Sequence, residues 1–533
     1  MVPPRQGCAE RTAMNPASAS RWPAWVTMLF YGLLTVIVLV PVFSVPIPCL
    51  GDYLNHLARI HVMESVDQSP ALQRFYETHW RLVPYFGMDA PMVALSPLFG
   101  LYNAGRLFVA ICVMMPVIAT ATLRYAIHRR VGLMPVLAFL LSWNYMVALG
   151  FLPYLFSAGL AVILFAGWIA TQSWPRWRRA ALFSAGAALV YLSHLFAFLA
   201  YGLLVGGYEL ARAIRRGGLP WREVILNFLA ASVQAAPAIA MLLLVQSNVT
   251  FGNTNNFHYT GAAGEAAAML MPLYFPGPVW LMLAYLTVPL AALFLARWLR
   301  LEPALWPAVL CMALAACFVP HVFFNVWGAD FRLPLVVAIT AIGATTLSRP
   351  FPRPVVNGVL AIVTALVIAR AVEVTALLRT LAVQVADIQA MLTHLPTGQR
   401  LLVVEGPAAA PARAVTSLVT GQIGLLATVD RDAFVPYLFT SATAMQVRPA
   451  MQNSISPNGI AIGYEELKEG IPPAPRGPLP PFSFGGQKYW LGWPDKFDYV
   501  LIVHFGTAPA ALPPMLALVA ARGVAALYRV AAR

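Results

Sequence analysis

Charge is scarce in this chain. Only 11% of its 533 residues are Asp, Glu, Lys or Arg, where soluble globular chains carry about 25%. Lysine is scarcer still: Lys468, Lys488 and Lys496 are the only lysines among 35 basic residues. Cysteine is too sparse for a disulfide framework, since Cys8, Cys112, Cys311 and Cys317 fall in the N-terminal tail or in apolar stretches, and Cys49 stands alone after the first of them. No P-loop, G-x-S-x-G, H-E-x-x-H or paired-cysteine metal motif occurs, so ATP-driven transport and zinc chemistry have no support. There is no internal repeat and no low-complexity tract. What the chain has in excess is apolar residues, 60% of the total, with a mean hydropathy of +0.71. An ordinary soluble enzyme and a disordered chain are both excluded. The class is a polytopic α-helical membrane protein.

A bilayer-crossing helix takes about 20 apolar residues. The apolar runs predict eleven spans, at 23–47, 104–124, 133–149, 151–171, 181–193, 195–210, 223–246, 279–296, 304–321, 333–348 and 355–372. Basic residues collect in short cytoplasmic loops, and the arginines alternate as such a topology requires. Their clusters are Arg5/Arg11/Arg21, Arg124/Arg129/Arg130, Arg176/Arg178/Arg179, Arg212/Arg215/Arg216/Arg222, Arg297/Arg300 and Arg349/Arg353. The net charge of +14 is therefore a topology signal, and nucleic acid is not a partner. The 30-residue apolar run 181–210 is basic on both flanks, so alternation requires two short helices that turn near Ser193-His194. The first apolar run is too long for a cleaved signal peptide and lacks a small-x-small exit, so it stays as an anchor.

This topology gives a cytoplasmic tail (1–22), a transmembrane domain (23–372) with a large outer loop at 48–90, and an extracytoplasmic α/β domain (373–533). In the last, 401–404 and 497–503 read as buried strands, 512–521 as a surface helix and 526–530 as a final strand. Residues 471–494, rich in Pro, Gly and aromatics, read as an irregular loop.

The first outer loop carries the densest chemistry. Asp52, His56 and Arg59 are spaced i, i+4, i+7 and share one face of a helix, with Asn55 beside them and His61 following. Charges at the membrane boundary are expensive unless paired or functional. The plainer alternative has Asp52 capping the helix while Arg59 and His61 reach toward headgroups. His321 and Asp330-Phe331-Arg332 fall at the outer ends of two spans, where Asp330 and Arg332 form a local pair or Arg332 grips a phosphate. Arg106, at the outer start of the second span, is another phosphate candidate. The loop 247–270 adds Asn253, Asn255, Asn256, His258 and Tyr259, a set suited to sugar hydroxyls or to solvent, and Asn248-Val249-Thr250 matches a glycosylation acceptor. His194 lies in apolar sequence and reads first as a structural histidine. Asp430-Arg431-Asp432 is a D-x-D triplet of the kind that holds a divalent metal; no other metal site is encoded, and a metal cofactor stays open.

The layout, with Gly51-Asp52-Tyr53-x-Asn55-His56-Leu57-Ala58-Arg59, Ala433 to Phe439 and Phe497-Asp498-Tyr499-Val500-Leu501-Ile502, resembles the GT-C superfamily of membrane glycosyltransferases, in an uncharacterised bacterial branch. The resemblance implies a sugar taken from a polyprenyl-phosphate donor and moved to a glycan, lipid or protein acceptor on the outer face of a bacterial inner membrane. It implies Asp52 as the catalytic base, with His56 orienting it or contacting the donor phosphate. Arg59, Arg106 and Arg332 would hold the phosphate, and Asn55, His61, His258, His321 and Asp330 would line the site. One-base displacement implies inversion at the anomeric carbon. The first loop has neither the adjacent Asp-Glu pair of protein mannosyltransferases nor a D-x-D, and no W-W-D motif of oligosaccharyltransferases occurs. Two other readings remain: a lipid or glycolipid transporter, which would favour ionisable residues near the membrane midplane, and a non-catalytic envelope assembly protein.

Overall fold

The structure, a computed structural model, describes residues 23–215, 220–244, 257–323, 326–406, 421–440, 444–456, 459–471, 488–504 and 512–531. The expected tail 1–22, the asparagines at 253, 255 and 256, the 248–250 acceptor triplet and most of the 471–494 loop lie outside these residues. The principal helices are α1 (Ala24–Phe43), α2 (Tyr53–Ser65), α3 (Phe86–Phe99), α4 (Leu101–His128), α5 (Leu152–Ala170), α6 (Arg176–Ser193) and α7 (Leu195–Arg215). They continue as α8 (Trp221–Leu244), α9 (Val279–Leu295), α10 (Trp306–Phe318), α11 (Leu333–Ala344) and α12 (Arg353–Leu392). Among the described residues six of these, α1, α4, α5, α7, α8 and α12, are long and apolar enough to cross a membrane.

Several boundaries differ from expectation. The run 133–149 is mostly a 3-10 helix, Met134–Leu141, followed by the single turn Tyr145–Ala148, so it is not one regular span. Helix α3 was not foreseen: Pro91 and Pro97 lie inside it and mask its periodicity. The run 181–210 does divide at His194, which is extended (φ −167°, ψ 129°). Its Nδ1 accepts a hydrogen bond from the Phe196 N–H at 3.2 Å, and this local bond competes with helix continuation. The resulting helices, of 18 and 21 residues, are longer than the two short pieces expected.

The helical core forms where α4 and α5 pack, α7 lies against α5, α10 against α7, and α11 bridges α10 and α4. Small buried residues on α5, Ala158, Ala161 and Ala166, permit the close helix approach on which membrane bundles depend. Helix α1 packs alongside α12. Helix α12 runs unbroken through position 373, so no loop marks the expected domain boundary there, and its C-terminal half packs on the sheet that follows.

That sheet has five strands: β1 (Leu401–Glu405), β2 (Ile462–Gly463), β3 (Tyr499–Val503), β4 (Leu516–Arg522) and β5 (Ala525–Val530), in the order β4-β5-β3-β1-β2. β1 and β3 are parallel, with Leu401 opposite Tyr499, and β5 runs antiparallel to β3. Both parallel strands are almost wholly buried, which explains their continuous apolar sequence. The expected helix at 512–521 is instead strand β4. It pairs with β5 across Gly523 (φ +53°), a hairpin in which glycine supplies the positive φ that the turn requires.

Candidate active site

Asp52 is placed by a backbone clasp. The Gly51 and Asp52 N–H groups donate to the carbonyls of Ala148 and Leu149 at 2.9 and 2.8 Å. A Cβ on Gly150 would come within 2.5 Å of the Asp52 nitrogen, and Gly150 itself has φ +71°. Only glycine permits both the conformation and the approach. The clasp fixes the start of α2 against the turn before α5. Asp52 stands at the N-cap position, yet its side chain makes no capping bond. Asp52 therefore does not cap the helix through its side chain, although it occupies the N-cap position.

Burial pushes the Asp52 carboxyl up to about 7, against the pull of the Arg332 and Arg59 charges. Carboxylates poised near neutrality are suited to take a proton. His56, one turn on, is buried beside Tyr85 and Phe439, at ring distances of 6.4 Å each. Its pKa is driven well below the ordinary value by burial and by Arg59, so the imidazole is neutral. Its Nδ1 has no hydrogen-bond partner among the described residues.

Arg59 does not reach toward headgroups. It is fully buried and forms an ion pair with Asp89 of α3 at 2.5 Å, with its guanidinium 5.4 Å from the Tyr85 ring centre. His61 is likewise engaged, its Nε2 2.8 Å from Asp432, whose other oxygen accepts from Ser69 at 2.8 Å. Asn55 turns away from Asp52. Its amide donates to Gln422 and the Tyr437 carbonyl, and its Oδ1 accepts from the Phe439 N–H. It joins the two parts of the chain.

Arg332 is the exception among buried cations. Of the buried arginines among the described residues, Arg59, Arg179 and Arg370 each have a carboxylate within 4 Å. Arg332 has none among those residues. Of the two alternatives, the local pair with Asp330 does not form: the buried Asp330 carboxylate lies 3.0 Å from His321 Nδ1 and accepts from the Phe331 N–H. Arg332 donates to the Trp327 carbonyl at 2.9 Å, its Nε is unpartnered, and its guanidinium lies over the rings of Phe151, Phe196 and Tyr154 at 4.7, 5.1 and 5.9 Å. Aromatic faces attract a cation but leave its net charge uncancelled. A buried, unneutralised guanidinium is an anion site in waiting.

Sequence reasoning missed Tyr85 and Asp89. Tyr85 is a non-glycine residue at φ +81°, the kind of local strain that gathers at functional sites. It bridges the cluster, with His56 on one side and His194 at 5.9 Å on the other. His194 continues to Tyr154 at 5.3 Å, whose hydroxyl donates to the Arg332 carbonyl. No motif announces Tyr85; Asp89, at i+30 from Arg59, carried only its charge as a signal.

The other expected residues are dispersed. The His321–Asp330 pair connects to the cluster through Trp327, whose ring centre is 5.1 Å from His321 and 6.5 Å from Phe151. His258 is exposed on the edge strand of a small three-stranded sheet, opposite Val322. Arg106 lies in a separate crevice over Phe43. The D-x-D triplet does not converge: Asp430 accepts from Tyr102 and Gln389 while Asp432 faces His61 and Ser69. No group of three or more His, Cys, Asp or Glu among the described residues is placed to hold a metal ion.

The crystal structure of ArnT from Cupriavidus metallidurans bound to undecaprenyl phosphate has the same architecture, with a TM-score of 0.51 at 14% sequence identity, across 95% of this chain and 97% of that one. The chain shares the fold of this ArnT. The apo structure of the same ArnT matches over the same shares, with a TM-score of 0.48 at 15% identity. No sequence family and no curated protein sequence matches the chain. Within this fold, Asp52 opens the first loop after α1 and Arg332 begins α11. Folding brings their charges together across 280 positions of sequence.

Proposed function

We propose that this chain is a glycosyltransferase of a bacterial inner membrane. It moves a sugar from a polyprenyl-phosphate donor to a glycan, lipid or protein acceptor at the outer face. The N-terminus is then cytoplasmic and the sheet domain, together with loop 48–90, extracytoplasmic. The observation that carries the proposal is the Asp52 carboxyl, free of a capping bond and raised by burial to about 7 in the field of the buried Arg332, which has no carboxylate in ion-pair reach among the described residues. The undecaprenyl phosphate bound to the ArnT of like fold supports the choice of donor.

An acceptor hydroxyl is a weak nucleophile until its proton can leave. Asp52 takes that proton as the acceptor oxygen bonds to the anomeric carbon. The bond from that carbon to the phosphate oxygen breaks, and its electron pair goes to the phosphate. Arg332 stabilises the charge that develops there, a task worth most in a site already shielded from water. His56, being neutral, does not serve as a phosphate counter-ion. Arg59, already balanced by Asp89, tunes the Asp52 carboxyl through space and holds Tyr85 in its strained position. A single displacement with one base inverts the anomeric centre, in contrast to double displacement through a covalent intermediate.

Mass spectrometry of envelope glycans and glycolipids from a deletion strain tests this proposal. Loss of a hexose-, pentose- or aminosugar-sized unit, with the unmodified form accumulating, is expected, and the wild-type gene restores it. An unchanged glycan profile would refute transferase activity.

A further inference from the structure

We propose that the crevice where α1, α4 and α12 meet is a second lipid site, which takes a membrane lipid by the phosphate of its headgroup. The crevice has a volume of about 430 Å³ and is lined by Phe43, Ser44, Val45, Tyr102, Arg106 and Gln389, among others. Its one cationic lining group is Arg106, half-buried with no carboxylate in ion-pair reach among the described residues. The guanidinium donates to the Asn103 side chain and, at 3.4 Å, to the Val45 carbonyl, and its Nε is buried without a partner. It sits 6.0 Å from the Phe43 ring centre, as a cation does when held at an apolar boundary.

The crevice is polar at one end and apolar at the other. Tyr102, one helical turn from Arg106, donates to Asp430 at 2.8 Å, and Gln389 donates to the second oxygen of the same carboxylate at 3.1 Å. This rim suits the hydroxyl or ammonium groups that follow a lipid phosphate. The opposite end opens where α1 finishes, and Val36, Val40 and Phe43 are exposed there at i, i+4 and i+7, one stripe along the helix. Acyl chains against that stripe place a headgroup phosphate at Arg106. A free phosphate ion would use the cation but neither the stripe nor the rim. The site is distinct from the Asp52 cluster because the buried Tyr53 ring intervenes, packed against Gly105 of α4. Lipid binding here does not depend on sugar transfer at Asp52.

The test uses the full chain in a phosphate-free alkyl glycoside, with Arg332→Gln in every arm so that phosphate binding at the first site does not contribute. Dioctanoyl phosphatidylglycerol, dioctanoylglycerol and inorganic phosphate are titrated separately, and bound ligand is read by native mass spectrometry beside the thermal midpoint. Phosphatidylglycerol should bind saturably, with its affinity lowered at least tenfold by Arg106→Gln and partly recovered in Arg106→Lys; the other two should not saturate in that range. Ser44→Phe, which adds bulk to the crevice lining and leaves the Arg106 charge in place, should give a comparable loss and serves if Arg106→Gln does not fold. Unchanged binding in folded Arg106→Gln or Ser44→Phe protein would overturn the site. Equal saturation by inorganic phosphate would overturn the lipid and leave only an ion site.

Discussion

Asn55 and Gln422, 367 positions apart, are hydrogen-bonded at 2.8 Å, and both are buried. The same Asn55 amide group satisfies the Tyr437 carbonyl and the Phe439 N–H. Three residues from Asp52, one side chain thus fixes the sheet domain onto α2. A second seam, the pairing of Tyr76–Thr78 with Met445–Val447, holds the same junction. Removing Asn55 leaves buried donors and acceptors unpaired, at about 1–3 kcal/mol for each group left without a partner. Asn55→Ala should lower the thermal midpoint in detergent and expose the 421–440 segment to protease, whereas Asn55→Gln should do so less if its longer amide keeps one bond.

The Arg59–Asp89 pair makes a sharper prediction. Both charges are desolvated, so removing one strands the other at a cost of about 3–5 kcal/mol. Asp89→Asn should therefore reduce the yield of folded protein severely. The double replacement Arg59→Met with Asp89→Leu should recover much of that yield, because a buried pair exchanged for apolar residues is close to neutral. Folded protein recovered by size exclusion, compared across the single and double variants, measures this. Equal yield from Asp89→Asn and wild type would remove the pair from the account.

Arg332→Gln keeps the side-chain length and removes the charge. Charge-assisted bonds contribute about 1.5–3 kcal/mol, so donor affinity should fall roughly 10- to 100-fold. Arg332→Lys should restore part of it, since an ammonium supplies the charge without the two-point geometry. Equilibrium binding of a short-chain polyprenyl phosphate to each protein checks the order wild type, Lys, Gln.

The raised Asp52 carboxyl sets two pH trends of opposite sense. Transfer requires the ionised base, so the rate should climb as pH passes upward through about 7 and level off above it. Stability moves the other way. The unfolded carboxyl ionises near 3.9 and the folded one near 7, so the unfolded chain binds fewer protons between those values and stability falls as pH rises through that window. Asp52→Asn should remove this slope and be more stable than wild type at pH 8. A denaturant series at pH 5 and pH 8 measures it, and an identical pH dependence in wild type and variant would contradict the assigned burial.

Much of this arrangement was legible in the sequence because it rests on local patterns. The i, i+4, i+7 spacing placed Asp52, His56 and Arg59 on one helix, the basic flanks of 181–210 required the break at His194, and β-branched runs marked β1 and β3. Other elements were hidden for physical reasons. Strand β4 is rich in Ala and Leu, which do not separate strand from helix by composition, and only Gly523 signalled the hairpin. Helix α3 carries two prolines that read as breaks. The partners of Arg59 and Asp330 were out of reach: Asp89 is 30 positions from Arg59, and Asp330 chose His321 over the adjacent Arg332. Burial decided these pairings, and burial of a single charge is not written in its neighbours. That Arg332 has no carboxylate in ion-pair reach among the described residues follows from that choice.

Asp52→Asn removes the proposed base and keeps the shape of its side chain. Wild-type and Asp52→Asn genes are expressed to equal membrane levels in the deletion strain, and the transferred sugar is quantified by mass spectrometry alongside donor binding to the purified proteins. Loss of a positioned general base costs about 10²–10⁴ in rate, so the variant should bind donor as tightly as wild type and leave the acceptor unmodified. Full restoration of the glycan by Asp52→Asn would contradict Asp52 as the base and the transferase mechanism built on it.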